Sequence, residues 1–404
     1  MVRKIILLLP LFLLVALISC QEHVPATEPE PLVNAGLGDE DALLKEMGKP
    51  CDPGVLKVMT RNIYVGGDVD IVIEAEDPGM VPFLVAEVYA TVQQTNFYER
   101  AVSLAREIKR TQPHLIGLQE VSKIYRQSPG DELNYLFGGG PATPAGEEDI
   151  EYDYLEILLN ALAEEGMEYR AVAIGQNADV EMPMANDEQL TSYDDIRLID
   201  YDVILARHDV KIVGDPLIVP YSVILQVPPP PNDPQLIVPR GFVSVVASIG
   251  NETLRFVSTH LEAPFEAEPI RAAQAAELRT WFEDETLPVI IVGDFNAPAP
   301  ANGTYQSMIE GGYHDAWLEN PYSHHWDGFT FGHDADLLNP TANFTERIDY
   351  IFHHSNQSYK YIKTGPVVVL GDEPYNRTVS GLWPSDHGGV VAKLHLKESN
   401  MVHY

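Results

Sequence analysis

The chain has 404 residues, 45% of them apolar, which allows one large core or two small domains and argues against general disorder. Twenty-six basic residues stand against sixty acidic ones, a formal charge of −34. Such a field repels polyanions, so it counts against a dedicated DNA- or RNA-binding module.

The first twenty residues read as a targeting segment. Arg3 and Lys4 precede an apolar run from Ile5 to Ile18, then Ser19-Cys20. The run is too short for a comfortable membrane span. Leu17-Ile18-Ser19-Cys20 resembles a bacterial lipobox, whose cysteine becomes the lipidated first residue of the mature chain. On that reading Cys20 carries the anchor, the protein is an extracytoplasmic bacterial membrane lipoprotein, and Cys51 has no intramolecular partner. Gln21 lacks the aspartate associated with inner-membrane retention, which points to the outer membrane or cell surface. An ordinary signal peptide and a Cys20–Cys51 bridge are the alternatives. Residues 21–50, rich in Glu, Pro, Gly and Ala, read as a solvated tether.

The globular domain is expected over residues 55–397. "VLKVMTRNIY" opens it with a strand. "NFYERAVSLAREIKR" puts Ala101, Leu104, Ala105 and Ile108 at helical spacing with basic residues in the last turn. "LIGLQEV" is a short buried strand, and "YLEILLNALAEEG" an amphipathic helix ended by Gly166. "YRAVAIG" and "DYDVILAR" are strands, with the acidic stretch Asp179–Asp195 expected as a loop. Gln127–Asp149 and Val227–Pro239, rich in Gly and Pro, are further surface excursions. "GFVSVVASIGNETLRFVSTHL" reads as a hairpin about Gly250-Asn251, and "AEPIRAAQAAELRTWFEDE" as a helix. "PVIIVGDFNA" follows, a strand delivering Asp294 and Asn296 at its carboxyl end. "RIDYIF", "YKYIKTGPVVVL" and "HGGVVAKLHL" complete the strands. The adjacent pairs His324-His325 and His353-His354 read as surface or loop histidines. Strands outnumber helices and hairpins mix with helical crossovers, which predicts an α+β sandwich of two sheets with helices outside.

Six of these strands share a feature. Asn62 follows "KVMTR", Glu120 follows "LIGLQ", His260 follows "RFVST", and Asp294 and Asn296 follow "VIIVG". Asp349 sits in "RIDYIF", and Asp386-His387 precede "GGVVAKL". Carboxylates and imidazoles beside a sheet core are costly unless paired, hydrogen-bonded or bound to metal. One such residue is an ordinary cap or turn; six together point to a site. The donor set is oxygen-rich and suits Mg²⁺, while no Cys-x-x-Cys or His-Glu-x-x-His pattern supports zinc.

"TRNIY", "LQEV", "VSTHL", "GDFNA", "RIDYIF" and "SDHGGVVAKL", in this order, resemble the endonuclease/exonuclease/phosphatase superfamily of deoxyribonuclease-like enzymes. The resemblance runs from about Val55 to Leu396. It implies a four-layer α/β sandwich, two mixed β-sheets flanked by helices, and metal-assisted in-line attack of water on a phosphoester. It also implies roles. Glu120 would be the Mg²⁺ ligand (Mn²⁺ a substitute), with Asn62 at the metal shell or phosphate and Asp386 near the metal. His260 would contact the scissile phosphate, Asp294 would orient the water, and Asn296 would stabilise transition-state oxygens. His387 would be the imidazole at the phosphate, held in its tautomer by Asp349.

Substrate is left open by the resemblance. The chain lacks an Arg/Lys-rich loop of the kind a duplex nuclease uses, so a small-molecule or lipid ester is expected over DNA or RNA. A secreted nuclease and a non-catalytic binding lipoprotein are the alternatives. A monomer is expected.

Overall fold

The computed structural model describes residues 38–132, 142–227, 236–263, 267–322, 327–355 and 360–398. The chain divides into two units, Met1–Asp39 and Glu40–Tyr404, and the second carries the layered fold. Cys20, the apolar leader and His324-His325 lie outside the described residues.

In chain order the elements begin with α1 (Gly38–Gly48), β1 (Val55–Asn62), α2 (Asp70–Ile73), α3 (Val81–Gln94) and α4 (Phe97–Thr111). Next come β2 (Leu115–Gln119), β3 (Lys123–Gln127), β4 (Ile150–Asp153), α5 (Tyr154–Glu164), β5 (Tyr169–Ala185) and β6 (Tyr193–Arg207). Then follow β7 (Lys211–Pro220), β8 (Leu225–Val227), β9 (Leu236–Val238), β10 (Gly241–Ile249) and β11 (Glu252–His260). The chain continues through α6 (Glu268–Trp281), β12 (Val289–Asp294), α7 (Gly303–Glu310), β13 (His314–Asp315) and α8 (Ala316–Glu319). It closes with β14 (Asp349–His354), β15 (Lys360–Leu370) and β16 (Gly389–Glu398).

Two mixed sheets result. The first runs β15-β16-β1-β2-β6-β3-β4 with β5 also paired to β6; the second runs β13-β14-β12-β11-β10-β7. Each contains one parallel pair, β1 with β2 and β11 with β12. Val58, Ile204, Val245, Phe256, Val292 and Val390 fill the space between the sheets. Helices α3, α4 and α5 cover the outer face of the first sheet through Val85, Tyr89, Leu104, Ile108 and Leu158. Helix α6 covers the second through Ala275 and Leu278, beside Phe295, Tyr350 and Phe352. The four-layer α+β sandwich is therefore as the sequence predicts.

Local chemistry explains the boundaries that agree. Ala101, Leu104, Ala105 and Ile108 are all buried on α4, whose last turn holds Lys109 and Arg110 against the helix dipole. Asp153 caps α5 by accepting from the Glu156 N–H at 3.1 Å, and Gly166 leaves the helix at φ +78. The β10–β11 hairpin turns at Gly250, φ +60, as expected.

Three expectations are corrected. The tether is not structureless to Pro50: residues 38–48 are helical, and Leu43, Leu44 and Met47 join the core. Asp179–Asp195 is not a loop but most of a long hairpin in which β5 pairs with β6 from Tyr169↔Arg207 to Ala185↔Tyr193. Its acids are compatible with a strand because they are paired: Asp179 with Arg197 at 2.7 Å and Asp194 with Arg126 at 2.8 Å. His353 is buried in β14 and bonded to Glu319 at 2.9 Å, because strand alternation turns one of two adjacent histidines inward. Gly293 lies within β12, paired with Thr259 and Tyr350.

Candidate active site

Topology gathers the polar strand ends. The parallel pair β1–β2 places Asn62 opposite Gln119, so Glu120 emerges next to Asn62. The parallel pair β11–β12 places His260 opposite Asp294. Antiparallel β14 begins at Asp349, opposite Asp294, and β16 begins two residues after His387. All eight predicted globular residues thus reach the same end of the sandwich.

Asn62 is the meeting point between sheets. Its Oδ1 accepts from the Tyr64 N–H at 3.0 Å, which turns its Nδ2 the other way. That nitrogen donates to Glu120 Oε1 at 2.8 Å and to Asp294 Oδ2 at 3.2 Å, and lies 3.4 Å from His387 Nε2. Glu120 Oε2 accepts from the Val65 N–H at 2.8 Å. His387 Nδ1 bonds Asp349 Oδ2 at 2.9 Å, leaving Nε2 toward Asp294, 3.6 Å away. Asn296 donates its N–H to Asp294 Oδ1 at 2.9 Å, and its Nδ2 lies 3.2 Å from His260 Nε2. Asp386 lines the same cavity as Glu120, Asp294 and His387, with Ser385 Oγ 3.3 Å from its Oδ1.

Strain accompanies this convergence. Glu120 and Asn296 hold φ at +56 and +48, a left-handed region that asparagine tolerates and glutamate seldom adopts. The conformation turns each chain at the strand end, so that the side chain enters the cavity.

Electrostatics divide the titrating groups. Burial opposes a charged His387, but Asp349, Asp294 and Asp386 outweigh it and push the imidazole up to about 10. Burial, with Arg240 and His387 beside it, holds His260 well below its ordinary value. Burial raises Asp294 to about 7 against the pull of His387, and raises Asp386 to about 6. At neutral pH the two histidines therefore differ: His387 is an imidazolium and His260 a neutral ring.

The donor set fits a hard cation. Buried Asp294 and Asp349 stand beside half-buried Glu120 and Asp386, and Asp349 Oδ1 has no hydrogen-bond partner. Burial raises Asp294 and Asp386, so their ionised forms are costly in this cavity unless a cation joins them. Donor atoms of Asp294, Asp349 and His387 lie within 4.8 Å of one another. Two of those three are already bonded as the His387–Asp349 pair, which ties up donor capacity there.

Sequence reasoning missed several residues. Arg240 places Nη1 3.0 Å from His260 Nδ1, between Asp200 at 3.6 Å and Glu262 at 3.7 Å. Thr330 donates its hydroxyl to Asp349 Oδ2 at 2.6 Å, and the Phe331 ring packs 4.8 Å from that of His387. Buried Arg100 donates to the carbonyls of Ile63 at 2.7 Å, Tyr64 at 3.0 Å and Pro384 at 3.1 Å. It thereby joins the segment after Asn62 to the one before Asp386-His387. Arg61, also buried, donates to the His387 carbonyl and pairs with Glu107 at 3.1 Å.

The family model described as Endonuclease/Exonuclease/phosphatase family matches residues 92–387. A comparison with curated proteins found no match. Among solved structures, an endonuclease/exonuclease/phosphatase family protein from Bacteroides thetaiotaomicron is 17% identical with TM-score 0.50, covering 87% of this chain and 98% of its own. A mannosyl-6-phosphatase from the same organism is 17% identical with TM-score 0.49, covering 84% and 99%. A humanized TDP2 of D. rerio is 13% identical with TM-score 0.45, covering 85% and 99%. At 17% identity the likeness to the first of these speaks for the fold alone.

Proposed function

This chain belongs to the endonuclease/exonuclease/phosphatase family and is a hydrolase of phosphoric ester bonds; from that premise we propose an extracytoplasmic Mg²⁺-dependent phosphoesterase acting on a small-molecule or lipid ester. One observation carries the reading. Glu120, Asp294 and His387 converge on the Asn62 amide at 2.8, 3.2 and 3.4 Å, from strand ends of both sheets.

Each residue then has a task. Glu120 holds the cation with Asp386, and Asn62 orients the Glu120 carboxylate through its amide. Mg²⁺, with Mn²⁺ a substitute, supplies Lewis-acid neutralisation of phosphoryl charge when bound. Asp294, raised to about 7, is suited to accept a proton from the attacking water near neutral pH. His387, charged and fixed by Asp349, binds a phosphoryl oxygen. His260 offers a neutral N–H, and the Asn296 amide faces the same oxygens. The formal charge of −34 and the Arg240 pairing to Asp200 and Glu262 favour a small ester over a polyanion. Anchoring through Cys20 places the reaction outside the cytoplasm, and a monomer suffices because one chain supplies every named group.

The test is hydrolysis by the purified chain of DNA, RNA, phospholipid and small phosphoesters, with EDTA and with Mg²⁺ restored. We expect Mg²⁺-dependent turnover of small or lipid esters that His387→Ala abolishes. Robust DNA cleavage without small-ester turnover would overturn the substrate assignment.

A further inference from the structure

Beside the catalytic groups the protein keeps an apolar chamber that chemistry at a phosphate does not require. One cavity of about 1000 Å³ is lined by Glu120, His260, Asp294 and His387 and also by side chains from α2, α3, β5 and β6. Val72, Val85, Val88 and Tyr89 come from the helices, and Met182 and Leu198 from the hairpin. The same hairpin residues pack against the core cluster that includes Val85 and Tyr89. The apolar wall is thus built on elements anchored in the core, and it is continuous with the reacting groups.

Charge in the cavity is distributed unevenly. Its two arginines are occupied: Arg240 lies between Asp200 and Glu262, and Arg271 is paired with Glu268 at 2.8 Å. Asp68 and Asp70 are the charged residues that α2 and its lead-in add to the lining. A second phosphate entering there would meet carboxylates and hydrocarbon, with no free arginine or lysine among the described residues of the lining to receive it. A hydrocarbon chain would instead remove apolar wall from water, the ordinary driving force for ligand capture in a preformed pocket.

We propose that this chamber receives an alkyl substituent of the phosphoester, so that the substrate is an amphiphile. Its phosphate sits among Glu120, Asp294 and His387, and its chain lies between α3 and the β5–β6 hairpin. The proposal rests on the phosphoesterase reading only for the placement of the phosphate.

Calorimetric binding of methyl, butyl and octyl phosphate to the Mg²⁺-loaded full chain tests it without requiring turnover. Affinity should rise about fourfold per added methylene while the chain is being buried. Val72→Phe, which shortens the chamber, and Met182→Gln, which makes its wall polar, should each lower the octyl-to-methyl affinity ratio at least tenfold. Using the ratio cancels any loss of folded protein. Equal affinities for the three ligands in the wild type, or an unaltered ratio in both variants, would overturn the chamber. Chain-length-dependent binding without hydrolysis of any ester would leave the chamber standing and sink the catalytic reading instead.

Discussion

Arg240 Nη1 lies 3.0 Å from His260 Nδ1 and settles which nitrogen of that ring carries the proton. A guanidinium only donates, so Nδ1 accepts and the hydrogen resides on Nε2, toward Asp294 Oδ2 at 3.6 Å; Asn296 Nδ2, itself a donor, gives its hydrogen to the Leu261 carbonyl at 3.1 Å. Burial, Arg240 and His387 together hold the ring well below its ordinary value. Nitrogen-resolved NMR should show a neutral His260, protonated on Nε2, throughout the neutral range. A ring titrating near pH 6.5 would contradict the assignment. Arg240→Met should lower kcat/KM roughly 10- to 100-fold and destabilise the fold by about 3 kcal/mol, because Asp200 and Glu262 lose their cation in a buried setting.

His387 and Asp349 make the second prediction. Asp349→Asn removes the carboxylate that fixes the imidazole, and kcat should fall about 10²- to 10⁴-fold with little change in KM. Stability has a defined pH dependence. The folded His387 sits at about 10, above its unfolded value, so its contribution is fully present below about pH 6.5. It is lost as pH rises through about 10. Denaturation at pH 7 and pH 10.5 should therefore show a larger gap between wild type and variant at pH 7. A gap of equal size at both would mean the pair contributes no charge-dependent stability.

What was legible in the sequence follows from locality. Asn62, Glu120, His260 and Asp294 each end an apolar run and His387 precedes one, so an abrupt polar residue beside a strand reveals them without any knowledge of contacts. Arg240 lacks that signal. It precedes Gly241 after a Pro-rich stretch and reads as a solvated loop residue until β6 and β11 bring Asp200 and His260 to it. Asp200 and Asp202 are adjacent acids of one strand face, and nothing local says that the face points inward. Helix α3, "VPFLVAEVYATVQQ", is apolar along most of its length and β-branched in part, so helical periodicity is weak there. The Asp179–Asp195 stretch misleads for the opposite reason: its charges look solvated until Arg197 and Arg126 pair with them.

Gly293 controls the placement of Asp294 by a steric route. A Cβ built there would fall 2.0 Å from the Thr259 carbonyl oxygen of the parallel neighbour β11, and the backbone holds φ at +157. Any side chain must push β12 from β11 at the position that registers His260 against Asp294. Gly293→Ala should cost about 3 kcal/mol and reduce kcat more than tenfold. Unfolding in denaturant and single-turnover kinetics check the two effects separately. A variant of wild-type stability would show that the strands relax without strain.

Metal removal should couple to pH through Asp294 and Asp386. Burial raises these carboxyls to about 7 and about 6, above unfolded values near 4. The folded state thus binds more protons than the unfolded chain between about pH 4 and 7, and stability falls as pH rises through that window. Above it both groups are ionised in a buried, carboxylate-rich cavity, which is where a divalent cation relieves most repulsion. Mg²⁺ should therefore raise Tm more at pH 8 than at pH 5, and Glu120→Gln should shrink the shift at pH 8. Thermal unfolding with EDTA and with Mg²⁺ at both pH values reads the coupling directly. Equal shifts at the two pH values would mean that the cation is held away from Asp294 and Asp386, and the assignment of Asp386 as a ligand would fail; an undiminished shift in Glu120→Gln would do the same for Glu120.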